Sequence, residues 1–217
     1  MVSLIACNPS ETPLPDTGYS YFPLEVGRFV IYDVVETNYS LTSAANIKAY
    51  QLKESIASKF TDLSGQESYK IERSKRISAT AAWQPDSIFT AQLTADKAVK
   101  TEGNQSYIKI LFPVRKGQKW NGNLLNIQNT ANYEIDDVAK SIKIGNTNFE
   151  NVLSVKQKND SSSVSLDKRS EFFAQNIGLI YKESTQVFYC YENACLGKGK
   201  IDYGTSKILK INSYGKN

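Results

Sequence analysis

The apolar and polar residues of this chain alternate over most of its length, which is the pattern of β-strands. Between residues 47 and 60 the large apolar side chains fall on even positions with polar residues between them: Tyr50, Leu52, Ile56 and Phe60. A period of two places successive side chains on opposite faces of a sheet, so this segment predicts a half-buried antiparallel strand. A turn at 62–66 follows, and the alternation resumes from Ser68 to Ser78, so the two segments predict a hairpin.

The first dense apolar segment of the chain is Tyr21–Asp33. Pro23 restricts its own backbone and that of the preceding residue, so the chain is expected to enter the domain in an extended conformation. Gly27 permits a bend, and the aromatic and β-branched residues from Phe29 to Val35 predict the first long strand of the core.

The rest of the chain repeats this strand pattern and shows no sustained helical periodicity. The clearest hairpin joins 132–144 to 149–156 through a turn at 145–148, and further strands are predicted at 87–93, 95–101, 107–112, 164–173, 177–183 and 207–214. These segments give about ten strands. We therefore predict an all-β fold with room for a minor helix: a curved antiparallel sheet that forms a half-barrel or an open barrel.

The domain organisation predicted from the 217 residues is simple. Residues 1–7 are interpreted as the remainder of a signal segment, 8–20 as a flexible tether, and 21–217 as a single β-rich domain. The tether is polar and broken by prolines, and no Pro/Gly/Ser-rich linker divides the rest.

The composition excludes several classes of chemistry. The chain has no histidine, which removes the usual general base near neutral pH, the Ser/His and Cys/His nucleophile pairs, and the commonest ligand of zinc and copper. The net charge of +4 comes from basic and acidic residues mixed along the chain, so no nucleic-acid partner is predicted. We expect no cofactor and no metal site.

The densest basic cluster consists of Arg73, Lys75 and Arg76. It could contact phosphate or an acidic glycan. Because no aromatic residue is interleaved with it, the favoured interpretation is a solvated strand face.

Leu4-Ile5-Ala6-Cys7 resembles a bacterial lipobox, in which the cysteine is lipidated and becomes the mature N-terminus. The charged part and most of the apolar part of a secretory signal would have to precede Met1. Cys7 is therefore the predicted lipidation site, and a single acyl chain there would hold the domain at a membrane surface. The alternative is an ordinary cysteine in a disordered tail.

Cys190 and Cys195 are separated by four residues. Zinc sites need further Cys or His ligands, which this region lacks, so a local disulfide at a hairpin tip is predicted. Disulfides persist in the periplasm and at the cell surface, in agreement with export.

Three features together resemble a family of small, uncharacterised lipoproteins common in Bacteroidota: the lipobox at Cys7, the motif Tyr21-Phe22-Pro23-Leu24 with Gly27 and Tyr32, and the segment 172–183. The resemblance implies an extended antiparallel sheet curled into a half-barrel, and it carries over no catalytic residues. Asn8 after Cys7 is compatible with sorting to the outer membrane, on the periplasmic or the surface face.

The leading hypothesis is a non-enzymatic cell-envelope lipoprotein whose curved sheet binds an apolar ligand, a glycan or a protein partner. A concave apolar groove would favour acyl chains, whereas an exposed strip of Tyr or Trp would favour a glycan or a protein. One alternative is a glycoside hydrolase that pairs Asp136 or Asp137 with Glu134 or Glu150. The other is a purely structural component of an envelope complex.

Overall fold

A computed structural model describes residues 17–217, and this part of the chain folds into one 12-stranded antiparallel sheet. The all-β prediction is confirmed. The strands are β1 Arg28–Tyr39, β2 Asn46–Thr61, β3 Glu67–Arg76, β4 Gln84–Leu93, β5 Lys97–Glu102, β6 Gln105–Leu111, β7 Lys119–Asn121, β8 Asn132–Ile144, β9 Thr147–Ser161, β10 Ser165–Ala174, β11 Gly178–Tyr189 and β12 Ile201–Lys216. The minor helix is a single 3₁₀ turn at Tyr19–Tyr21.

The sheet is an up-and-down meander that curls almost into a closed barrel. Except for β6 and β7, each strand pairs with its neighbours in sequence; β1 also pairs with β12, and the sheet order begins with β6 and ends with β7. These two strands meet at a seam, where the Ile108 N–H donates to the Gly122 carbonyl and the Trp120 indole N–H donates to the Ile108 carbonyl, at 3.0 and 2.9 Å.

Two strand assignments differ from the sequence prediction. The short strand β7 was not predicted, because three residues are too few to show an alternation. The sequence predicts a strand at 87–93, yet β4 begins at Gln84. Asp86 is the extra residue of a bulge in β4, because Ser87 pairs with Arg73 and Pro85 pairs with Ser74.

The segment before β1 packs against the barrel at the end where β1 begins. The Thr17 carbonyl accepts from the Val114 N–H at 3.2 Å, the Tyr19 hydroxyl donates to the Ala95 carbonyl at 2.9 Å, and Tyr21 is 1% exposed. The packed chain thus includes residues 17–20, which were assigned to the tether, and residues 8–16 of that tether lie outside the described residues. We call residues 17–24 the N-terminal plug.

The buried apolar side chains form three clusters, one of which lies on β9–β11 around Phe149 and Ile180. The other two border the cavity. The larger cluster joins Tyr21 and Phe22 to side chains of β3–β10, in the half of the barrel that contains the seam, and Ile110, Ile135 and Leu153 in it are fully buried. A smaller cluster lies on β1, β2 and β12 around Tyr32. A cavity remains between these two clusters.

Gly204 lets β11 and β12 approach more closely than a side chain would allow. Its φ is +130°, and a Cβ there would lie 2.6 Å from the Val187 Cα. Gly204→Ala should therefore lower the free energy of unfolding by at least about 2 kcal/mol more than Gly145→Ala. Gly145 also has a positive φ, +59°, but has open space around it. Urea denaturation of both variants checks this, and equal losses would contradict it.

Candidate ligand cavity of the barrel

The barrel encloses a cavity of about 550 Å³. Its apolar wall is formed by the N-terminal plug and by β1, β2 and β11: Phe22, Leu24, Val30, Leu52, Ile56 and Leu179. The volume is within the range of about 300–1,000 Å³ found for small-molecule sites. The cavity is therefore large enough for a small ligand, and part of its wall is apolar.

The cavity wall also carries an ion-pair network, centred on Glu171 of β10. Glu171 Oε1 accepts from Lys109 Nζ of β6 at 2.6 Å and from Lys182 Nζ of β11 at 3.1 Å. Since β6 and β10 are not neighbours in the sheet, the Lys109–Glu171 pair spans the barrel interior. Glu171 is 1% exposed, and its second oxygen, Oε2, has no hydrogen-bond partner among the described residues.

A second network is centred on Glu54 of β2. Glu54 accepts from Arg73 Nη2 at 2.7 Å and from Lys100 Nζ at 2.9 Å, and Lys100 also lies 3.3 Å from Glu102. Lys100 and Glu54 project from strands three apart in the sheet, so this network also crosses the interior. In both networks one carboxylate is shared by two cations.

The cations keep the cavity carboxylates ionised. Burial by itself would raise the pKa of Glu171, but Lys109 and Lys182 outweigh it and lower the pKa to about 2. The pKa of Glu54 is lowered too, because Lys100 and Arg73 outweigh its burial. A general acid needs a carboxyl pKa that is raised toward neutrality, so neither carboxyl is tuned to donate a proton.

This ionisation makes the protein sensitive to acid. The folded-state pKa of Glu171 is below its ordinary value of 4.5, so its stabilisation is fully present above pH 4.5 and is lost as the pH falls toward 2. We expect this single group to contribute about 3 kcal/mol to that loss. Urea denaturation across this pH range measures how steeply the free energy of unfolding falls with falling pH. This dependence should be shallower in Glu171→Gln. Equal slopes would contradict the assignment.

The predicted solvated face at Arg73, Lys75 and Arg76 is wrong for Arg73. Arg73 has the same parity as Ile71 on β3, so its side chain points into the cavity with that residue. Aromatic partners come from other strands: Arg73 lies over the ring of Phe89 at 4.2 Å, Lys75 over Tyr50 at 3.8 Å, and Arg76 over Trp83 at 4.3 Å.

The carboxylates proposed for a glycoside hydrolase do not converge in the cavity. Glu134 and Asp136 share Lys156, at 3.1 and 3.3 Å. Asp137 pairs with Lys116 at 3.3 Å, and Glu150 is exposed and accepts from Ser141 and from Asn148. The described residues therefore give no support to this pair of acids.

A second concavity, of about 520 Å³, lies against β8–β11. Strand β8 has three irregularities in its pairing with β9, between Ile135 and Ile142. Phe172 and Tyr181 make an edge-to-face contact in its wall, with ring centroids 5.4 Å apart. Lys168 and Lys210, both on this wall, extend into solvent. We call it the outer groove.

The three cysteines lie in two parts of the chain. Cys7, the predicted lipidation site, lies outside the described residues. Cys190 and Cys195 form a disulfide in the connection between β11 and β12, with their Cα atoms 5.8 Å apart. Glu192 is near both sulfur atoms, but the disulfide removes the thiolates that a metal would need. No helix among the described residues is long and apolar enough to cross a membrane.

Comparison with known proteins yields little. The chain matches no protein-family model and no curated protein. A solved structure described as a "putative lipoprotein" from Parabacteroides distasonis is similar over 88% of this chain and 98% of that one, with 11% identity and a TM-score of 0.35. A TM-score this low does not establish a common fold.

Proposed function

We propose that this protein is a non-enzymatic lipoprotein of the bacterial cell envelope, tethered through Cys7, and that its barrel holds an apolar or amphiphilic ligand. The observation that carries the proposal is the cavity of about 550 Å³ with its apolar wall. A concave apolar surface inside a curved sheet suits an acyl chain better than it suits a flat protein or glycan contact.

The chemistry of the cavity favours binding over catalysis. Its two most buried carboxylates are ionised and held by lysine and arginine, and the chain has no histidine to shuttle a proton. The Lys182 and Glu102 side chains are 29% and 27% exposed, so the charged residues of the cavity wall are partly in contact with water. A ligand can therefore enter while its polar end remains partly solvated.

The cell-envelope location is supported by the lipobox at Cys7 and by the Cys190–Cys195 disulfide, which is typical of an oxidising compartment. Attachment at the outer membrane is part of the same proposal, because Asn8 follows the lipidated cysteine.

Filling the cavity should abolish binding. In Leu179→Trp the indole would occupy the apolar wall, so uptake of the neutral fluorophore N-phenyl-1-naphthylamine should fall by at least about tenfold. The matched control is Ile88→Trp, which adds the same ring at a position that is 63% exposed and outside the cavity.

Circular dichroism should show that both variants are folded. If the wild-type protein takes up no fluorophore, and native mass spectrometry of protein purified from its own envelope finds no bound amphiphile, the proposed function is wrong. Uptake that is unchanged in Leu179→Trp would place the site outside this cavity.

A further inference from the structure

The charges in the cavity are unbalanced. Six basic side chains line it, those of Arg28, Arg73, Lys100, Lys109, Lys182 and Lys207. Four acidic side chains do so, those of Glu36, Glu54, Glu102 and Glu171, and Glu25 outside the lining pairs with Arg28 at 3.6 Å, so the basic side chains outnumber the acidic ones by one. In a space partly shielded from water an uncompensated charge acts over a longer range than at an exposed surface, so the cavity presents a net positive field to whatever enters it.

The excess positive charge is concentrated where carboxylates are shared. A single oxygen of Glu171 serves both Lys109 and Lys182, whose Nζ atoms lie 2.6 and 3.1 Å from it. Each ammonium has three N–H donors, and the Glu171 contact uses one of them. The Lys182 side chain is 29% exposed and that of Lys109 is 8% exposed, so Lys182 is the more exposed of the two lysines.

Glu171 supplies a second and independent observation. Glu171 lines the same cavity, and its buried Oε2 atom accepts no hydrogen bond from the described residues. An acceptor left in this state costs free energy unless a donor reaches it. A ligand head group that carries a hydroxyl beside its negative charge would satisfy both Oε2 and the Lys182 ammonium.

From this geometry we propose that the ligand of the cavity is an amphiphile with an anionic head, and that Lys182 and Glu171 bind the head while the apolar wall of Phe22, Leu52 and Leu179 holds the chain. This inference rests on the proposed function and adds the charge of the ligand to it. Charge-assisted hydrogen bonds to a carboxylate or phosphate are stronger than neutral ones, so they select the head group.

The test uses three probes that share one alkyl chain and differ in head charge: dodecanoate, dodecanol and dodecylammonium. Each competes with N-phenyl-1-naphthylamine for the full-length wild-type protein at neutral pH. Dodecanoate should displace the fluorophore at a concentration about tenfold lower than dodecanol, and dodecylammonium should be the weakest competitor. Glycerol monododecyl phosphate, which adds a hydroxyl to the anion, should compete at least as well as dodecanoate.

Lys182→Met should reduce the preference for dodecanoate over dodecanol to within about twofold. Lys109 remains paired with Glu171 in this variant, so the network is preserved. The matched control is Lys210→Met, which removes an exposed lysine of the outer groove and should retain the wild-type preference.

The possible failures can be distinguished. If the fluorophore does not bind and no amphiphile co-purifies with the protein, the proposed function fails. If the fluorophore binds but none of the probes displaces it, the inferred amphiphile is wrong. If all three probes compete equally, the cavity binds chains but the inferred head-group charge is wrong. Stronger competition by dodecylammonium, or an unchanged preference in Lys182→Met, would equally overturn the inference.

Discussion

Replacing Glu171 by glutamine should lower the free energy of unfolding by about 3–5 kcal/mol, as is usual when one partner of a buried ion pair is removed. The glutamine keeps the shape of the side chain but leaves the Lys109 ammonium, in a residue that is 7% exposed, without a counter-charge. The lost attraction and the remaining desolvation of Lys109 act in the same direction. Urea denaturation at neutral pH, followed by circular dichroism, measures the loss.

A double variant separates the charge from the shape. In Glu171→Leu with Lys109→Met both buried charges disappear, and most of the lost stability should return because no uncompensated charge stays in the interior. Lys182 retains access to water in this variant, since its side chain is 29% exposed. A Glu171→Gln protein with the wild-type urea midpoint would show that the pair does not stabilise the barrel.

The second large effect is expected at Tyr21 of the N-terminal plug. Tyr21→Ala should cost about 3–5 kcal/mol, since it empties a site that is 1% exposed within the largest core cluster. Thermal unfolding measures the cost, and fluorophore uptake reports whether the cavity survives, because Phe22 of the same segment lines it.

The matched control for this substitution is Tyr19→Ala. Tyr19 is 37% exposed, packs edge-to-face on Phe112 with ring centroids 4.7 Å apart, and donates one hydrogen bond to the Ala95 carbonyl. We expect its loss to cost about 1–2 kcal/mol. Equal losses at the two positions would show that the segment adheres to the surface and does not close the barrel end.

The strands could be predicted from the sequence because a sheet repeats its environment at every second residue. On β2, Tyr50, Leu52 and Ile56 face the interior of the barrel, as their parity indicates. The sequence predicted a curved sheet, a half-barrel or an open barrel, but not how nearly the barrel closes. The seam depends on two contacts of Ile108 with the Gly122 and Trp120 region, which no local pattern encodes.

The hydrophobic pattern did not predict the charged residues of the cavity wall, and the reason is physical. Period-two reasoning assigns polar residues to the solvent face, whereas in this barrel charged residues share the interior face with apolar ones. Glu54 lies between Leu52 and Ile56 in the same parity, and Arg73 has the parity of Ile71. This shared parity was the one feature of the sequence that indicated that Glu54 and Arg73 face the interior. The cross-barrel partners Lys100 and Lys109 could not have been paired with Glu54 and Glu171 without the fold.

The pairing of the first strand with the last has a consequence for how the barrel assembles. Strand β1 bonds to β2 on one edge and to β12 on the other, through contacts such as Val30 with Tyr214 that join distant parts of the chain. During synthesis, one edge of β1 therefore remains unpaired until nearly two hundred further residues, on the order of the chain length, have been added. An unpaired edge held open for so long is a template for pairing with other chains, so this step is where a chaperone would be of most use.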